Sequence, residues 1–222
     1  MGVFVADVAG TGGTRHNGPM NINPWDRNFA GDVYKYGTQP NAFLATDARD
    51  WPPSLDVLVP GDGEGRNGVW LAVQGHRVTA MDGSAVGLAK ARALAEIRAV
   101  ALQTVLADLA DWAPPPAAFD ALVLTFVHLP PAIRAGAHRR LAAALRPGGR
   151  LVLEAFHPQQ LGHRSGGPQD GAMLYTPALL RSDFHGLVDE VWAWDGEVSL
   201  DEGPGHQGLA HVTRWVGRAL GA

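Results

Sequence analysis

The stretch from Leu55 to Asp82, LDVLVPGDGEGRNGVWLAVQGHRVTAMD, constrains the fold more than any other part of the chain. It opens with an apolar run of strand type, Leu55 to Val59. Gly61, Gly63, Gly65 and Gly68 follow within eight residues, and a helical pattern from Arg66 to Gln74 is stopped by Gly75. A second strand, Val78 to Met81, ends on Asp82. Strand, glycine turn, helix, strand and acid in that order make the first half of a nucleotide-binding βαβ unit. Glycines let the backbone turn sharply and approach a ligand. The helix starting near Arg66 aims its free N–H groups and positive dipole end at the same crevice. A carboxylate closing the second strand can accept both hydroxyls of an adenosine ribose. Three ligands fit this description: NAD(H), FAD and S-adenosylmethionine (SAM).

The glycine spacing reads two ways. Gly63 to Gly68 fits GxGxxG literally, with Asp82 19 residues after Gly63. Pro60, Gly61 and Asp62 then stand where a dinucleotide-binding strand runs straight into its first glycine. Read from Gly61 instead, GDGEG puts the turn directly at the strand end. Asp62 and Glu64 repel a pyrophosphate but suit SAM, which carries an ammonium and a sulfonium. An NAD(P)-dependent oxidoreductase is the alternative reading, and a SAM-binding protein without turnover is a third.

The rest of the chain sets the class. Its 222 residues are enough for one domain with a good core. The net charge of −4 leaves no basic footprint, so nucleic acid is not an expected partner. The absence of cysteine excludes disulfides, thiolate zinc sites and cysteine nucleophiles, and a cytoplasmic location is expected. Apolar runs are too short to span a bilayer. Residues 1–19 read as a disordered tail, with Met20 as an alternative start, and residues 20–222 as a single domain. Within it, residues 20–54 are rich in aromatics and turns and are expected to fold across the site as a lid.

Further along, Ser84 caps a helix to about Arg98, with Val86, Ala89, Ala93 and Ile97 as its stripe. Strands are expected at Val100–Leu106, Phe119–Val127 and Leu151–Phe156. Between the last two, a helix opens at Pro130-Pro131 and is stopped by Arg146-Pro147-Gly148-Gly149. Glu190–Leu200 and Leu209–Ala219 are strands joined by a short loop, with no room for a crossover helix, so they must be antiparallel.

That order is similar to class I SAM-dependent methyltransferases. The resemblance implies an α/β fold: a Rossmann-like, doubly wound seven-stranded sheet whose last strand is antiparallel. GDGEGRNG (61–68) resembles the glycine motif, and LRPGGRLVLEAF (145–156) the following turn and fifth strand. The YGT-x-PN, GEGRN, HLP and GGP stretches resemble the tellurite-resistance and thiopurine-type group of small-molecule methyltransferases. The resemblance implies SAM as cofactor, held by Gly61, Asp62, Gly63, Glu64, Gly65, Arg66 and Asn67. Asp82 matches the ribose acid and Asp108-Leu109 the adenine-recognising pair, and Phe126 is a further expected cofactor-binding residue. One position departs: the acid expected two residues before the first glycine is Val59, which passes the ammonium contact to Asp62 or Glu64.

The acceptor is expected to be a small molecule, a thiol or chalcogen oxyanion. His128 and His157, at strand ends, are the candidates for a catalytic base. Trp25, Tyr36, His163, Arg164 and His206 are the candidates for binding the acceptor. A histidine metal site built from His157, His163 and His206 has no recognisable spacing motif, so no metal is expected. The chain is expected to be a monomer or homodimer.

Overall fold

The structure is a computed structural model and describes residues 23–221. The expected tail at 1–19 lies outside the described residues. Seven strands form one sheet: β1 (Asp56–Pro60), β2 (Arg77–Asp82), β3 (Gln103–Leu106), β4 (Phe119–Thr125), β5 (Leu145–Phe156), β6 (Val188–Asp201) and β7 (Gln207–Ala219). Their order is β3-β2-β1-β4-β5-β7-β6. Strands β1 to β5 run parallel, and β7 lies antiparallel to both β5 and β6. This is the doubly wound α/β sheet with an antiparallel last strand that the element order implies.

Helices cover both faces, which is why the central strands are apolar over most of their length. Val57, Val59, Ala121, Val123 and Val152 point to one face, under α2 (Ala42–Asp47) and α3 (Arg66–Val73). Leu58, Leu122, Leu124, Leu151 and Leu153 point to the other. There they meet Leu141 of α5 (Pro131–Ala142), Leu180 and Phe184 of α6 (Pro177–Phe184), and Trp215 of β7. Caps follow local chemistry: Ser84 Oγ accepts the Gly87 N–H at the start of α4 (Ala85–Ile97), and Thr176 Oγ1 that of Leu179.

Four details differ from the sequence expectations. Strand β3 starts at Gln103, because the Val100 N–H bonds Ala95 O and finishes the α4 terminus instead of joining the sheet. Strand β4 stops at Thr125, because Phe126 turns into the left-handed region at φ +55°. Strand β5 starts at Leu145, so the Pro-Gly-Gly run lies within it, where the pairing with β4 slips between Phe119 and Ala121. The buried stripe of α4 is Gly87, Leu88, Ala91, Leu94 and Ala95, while Ile97 is exposed. Alanine occupies both faces of that helix and hides the stripe.

The amino-terminal segment is locked to the sheet by a buried polar network. Glu154 of β5 is 1% exposed. Arg214 Nε of β7 donates to its Oε1 at 2.5 Å, and Asn41 Nδ2 donates to its Oε2. Asn41 Nδ2 also donates to Glu202 Oε1 at 3.0 Å, and Arg66 pairs with Glu202 Oε2 at 2.7 Å. Asn67 Oδ1 accepts the Asn41 N–H at 2.8 Å, and its Nδ2 donates to Thr125 Oγ1 at 2.7 Å. Asn41 thus joins the first segment to α3, β5 and the β6–β7 loop, and Asn67 carries the link on to β4. Asn41→Ala removes two donors to buried carboxylates and the cap on the Leu44 N–H. It should lower the unfolding free energy by about 3–5 kcal/mol in denaturant titration. A loss under about 1 kcal/mol would show that the network does not hold the segment.

Candidate cofactor and acceptor site

A cavity of about 870 Å³ opens at the carboxyl ends of β1, β2 and β4, where an open α/β sheet binds ligands. The glycine turn, Asp82 and Gly83, residues 106–109 and residues 125–130 form its floor and walls. Residues 23–26, Phe29, Tyr36 and Gly37 close it from above, with His206 of the β6–β7 loop.

The turn is shaped by close approach. At Gly65, φ is +88° and a Cβ would sit 2.7 Å from the Ala91 Cα of α4. At Gly68, a Cβ would sit 2.3 Å from Asp62 Oδ2. Asp82 fixes the turn from the other strand: its Oδ2 accepts the Gly63 N–H at 2.8 Å, and its Oδ1 accepts that of Ser84 at 2.7 Å. Burial raises the Asp82 pKa, and the nearby Asp26 charge raises it further. Both carboxylate oxygens keep a second lone pair for ribose hydroxyls.

The helix α1 (Pro24–Phe29) packs over this floor. Asp26 Oδ1 accepts the Ser84 hydroxyl at 2.6 Å, and the Phe29 ring is buried against Gly63 and Gly87. Asp26 lines the cavity, and sequence reasoning missed it. Its signal was the polar Asn23 and Asp26 around an aromatic helix start.

The acids divide into two groups. Glu64 faces the protein: Lys90 Nζ lies 2.5 Å from its Oε1, and the Lys35 N–H donates to its Oε2 at 2.7 Å. Arg66 and Asn67 are likewise engaged by Glu202, Asn41 and Thr125, so these three expected cofactor residues line the cavity with their polar groups bound to protein. Asp26, Asp62 and Asp82 have no cationic partner among the described residues. Burial pushes Asp62 up to about 8 although its oxygens accept the Gly68 N–H, and Asp82 adds to the shift. Asp108 and Leu109 line the adjoining wall at the end of β3. Val59 is 1% exposed within β1 and packs into the core. Of Asp62 and Glu64, only Asp62 is left without a cationic partner.

The histidines part company. His128 Nδ1–H donates to Met173 O at 2.7 Å, and its Nε2 accepts the Phe156 N–H at 3.1 Å. These partners fix the tautomer and engage both nitrogens. Burial pushes His128 down to about 4. Its ring lines the cavity, but it has no free lone pair to act as the catalytic base that its strand-end position suggests. His157 is a second correction. It follows Phe156 at the end of β5, so it faces the opposite side of the sheet, beside His211 and Asp195, outside the cavity. His163 and Arg164 stand on the loop after β5, and neither lines the cavity. Trp25, Tyr36 and His206 do line it. Phe126, held at φ +55°, sets its ring 4.7 Å from Phe156 and 4.3 Å from His206. Such a conformation is costly for a residue with a Cβ and is found at sites that over-determine it.

Three unpaired acids around a glycine turn disfavour a pyrophosphate and fit a ligand with two positive charges. Residues 57–149 match a family model described as a methyltransferase domain. No curated protein sequence matches the chain. Among solved structures, one comes from work on the conversion of a disulfide bond into a thioacetal group during echinomycin biosynthesis. It is 17% identical, with a TM-score of 0.73 over 88% of this chain and 90% of that one. A SAM-dependent methyltransferase from Methanosarcina mazei is 16% identical, with a TM-score of 0.64 over 82% of this chain and 100% of that one. TehB from Haemophilus influenzae is 18% identical, with a TM-score of 0.64 over 80% of this chain and 62% of that one. The chain has the SAM-dependent methyltransferase fold. Over residues 57–149 it also matches the methyltransferase domain model, which makes SAM the ligand to test.

Without ligand, Asp62 is protonated at neutral pH, because its pKa stands near 8. A cation beside it favours the ionised form, so binding should release a proton. SAM affinity should therefore rise as pH increases from about 6 towards 8, and calorimetry in buffers of different ionisation enthalpy should detect that release. Asp62→Asn should abolish both effects. A pH-independent affinity in the native chain would place the ligand's charge elsewhere.

Proposed function

We propose that the chain methylates a small, soft, anionic nucleophile, a thiolate or a chalcogen oxyanion. The observation that carries this reading is the buried, aromatic setting of His206, which keeps its ring neutral. Its ring packs 4.4 Å from Tyr36 and 4.3 Å from Phe126, and its Nδ1 is buried without a partner among the described residues. Burial, then the Arg66 charge, with smaller effects from His128 and Lys35, push it down to about 3. The acceptor end of the cavity is thus aromatic, with the Arg66–Glu202 pair beside it, while the turn end is acidic. A doubly positive cofactor and an anionic acceptor would sort to opposite ends.

Bound SAM supplies an activated methyl carbon, and the residues of the chain align partners and exclude water. Asp26, Asp62 and Asp82 hold positive charge and ribose. Trp25, Phe29 and Tyr36 roof the site, in keeping with residues 20–54 acting as a lid on a domain that runs from residue 20. His206, kept neutral, is a weak proton acceptor, so the nucleophile should arrive already ionised. The same reading makes the protein a cytoplasmic monomer or homodimer without nucleic-acid partners. No described helix is long and apolar enough to cross a membrane.

The test compares acceptors at fixed enzyme and SAM: thiols of graded acidity, selenite or tellurite, a catechol, a small amine and a protein lysate. Turnover should favour the thiols or the chalcogen oxyanions. The pH dependence of kcat/KM should follow each thiol's own pKa rather than a fixed group near the histidine value of about 6.5. Turnover confined to catechol, amine or lysate, or a pKa that stays fixed across the thiols, would overturn this assignment. SAM binding with no turnover in any arm would favour a non-catalytic SAM-binding role.

A further inference from the structure

We propose that His157, Asp195 and His211 form a binding site for one first-row divalent cation of borderline softness, of the zinc or nickel kind. The three residues come from neighbouring strands. The His157 N–H bonds His211 O at 3.0 Å, continuing the β5–β7 register beyond Phe156↔Val212. Asp195 of β6 pairs with Thr213, two residues from His211 on the same face of β7. The outcome is a convergence of ligand atoms. His211 Nε2 lies 3.5 Å from Asp195 Oδ1, and His157 Nε2 lies 4.0 Å from the same oxygen. All three ligand atoms fall within 4.8 Å of one another, and the two rings are 4.7 Å apart.

Two imidazoles and a carboxylate match the donor preference of zinc and its neighbours. With metal–nitrogen bonds of about 2.0–2.1 Å, ligand atoms on one tetrahedral ion stand about 3.3 Å apart. The site therefore needs closure of about an ångström, which the half-exposed Asp195 can supply. His211 Nε2 is buried with no hydrogen-bond partner among the described residues, a donor set aside for a ligand. His157 sets the cost. Its Nδ1 accepts the Gln159 N–H at 3.2 Å, and an ion on Nε2 requires a proton on Nδ1. Binding must then open this long contact and turn the exposed Gln159 N–H to water. The site stands on the face of the sheet opposite the acceptor wall. An ion there would pin β5, β7 and β6 together, and its binding does not depend on the proposed acceptor.

The test uses the full chain without a polyhistidine tag, titrated with Zn²⁺ by calorimetry and with Co²⁺ by visible absorption. One ion per chain should bind and raise the melting temperature. Asp195→Asn and His211→Gln should each weaken binding at least about tenfold, while His163→Gln leaves it unchanged. If His211→Gln fails to fold, Asp195→Asn at its exposed position carries the test. No saturable binding, or equal binding by Asp195→Asn and the native chain, overturns the proposal.

Discussion

Glu154 is the group on which closure of the site depends. A carboxylate in the middle of a covered sheet is unstable unless charge and hydrogen bonds reach it. Burial raises its pKa, and Arg214 and Asn41 oppose that rise. Satisfying it fixes Asn41, and Asn41 in turn brings Glu202, Asn67 and the first segment to the carboxyl ends of the strands. The roof of the cavity and the β6–β7 loop are therefore held by the same group that sits beneath them. Gly205 N–H to Lys35 O, at 2.8 Å, stitches the two roof pieces directly.

Within this frame the cavity is electrostatically polar. Lys90 and Lys35 neutralise or cap Glu64, and Arg66 is matched by Glu202, so these residues build walls. What remains uncompensated is Asp26, Asp62 and Asp82 around the glycine turn. That arrangement selects for positive charge at one end. At the other, burial first, and then the Arg66, His128 and Lys35 charges, keep His206 neutral beside Tyr36 and Phe126. Such a sorting of charge would favour a methyl donor over a dinucleotide, because both ligand types could use the ribose contacts of Asp82.

Much of the fold was legible because local chemistry fixed it. The glycine turn, the Ser84 cap, and the terminal hairpin with no room for a crossover helix set the order of elements. Strand starts at Gln103 and Leu145 were not legible, since sheet pairing decides them. The site divides along the same line. Gly61, Asp62, Asp82, Asp108 and Phe126 fall on the cavity because they sit at strand ends and turns near the switch point. The binding of Glu64, Arg66 and Asn67 to protein depends on Lys35, Asn41 and Glu202, distant in sequence. His128 and His157 look alike in the sequence, each at a strand end. The first is disarmed by Met173 and Phe156, and the second is turned away by the alternation of side chains along β5.

The most direct measurement is calorimetric titration of the purified full chain with SAM and, separately, with NADH. The account requires saturable SAM binding in the micromolar range, at about −8 kcal/mol, and no heat of binding from NADH. Tight NADH binding with no response to SAM would contradict it, and the acidic turn would then need another explanation.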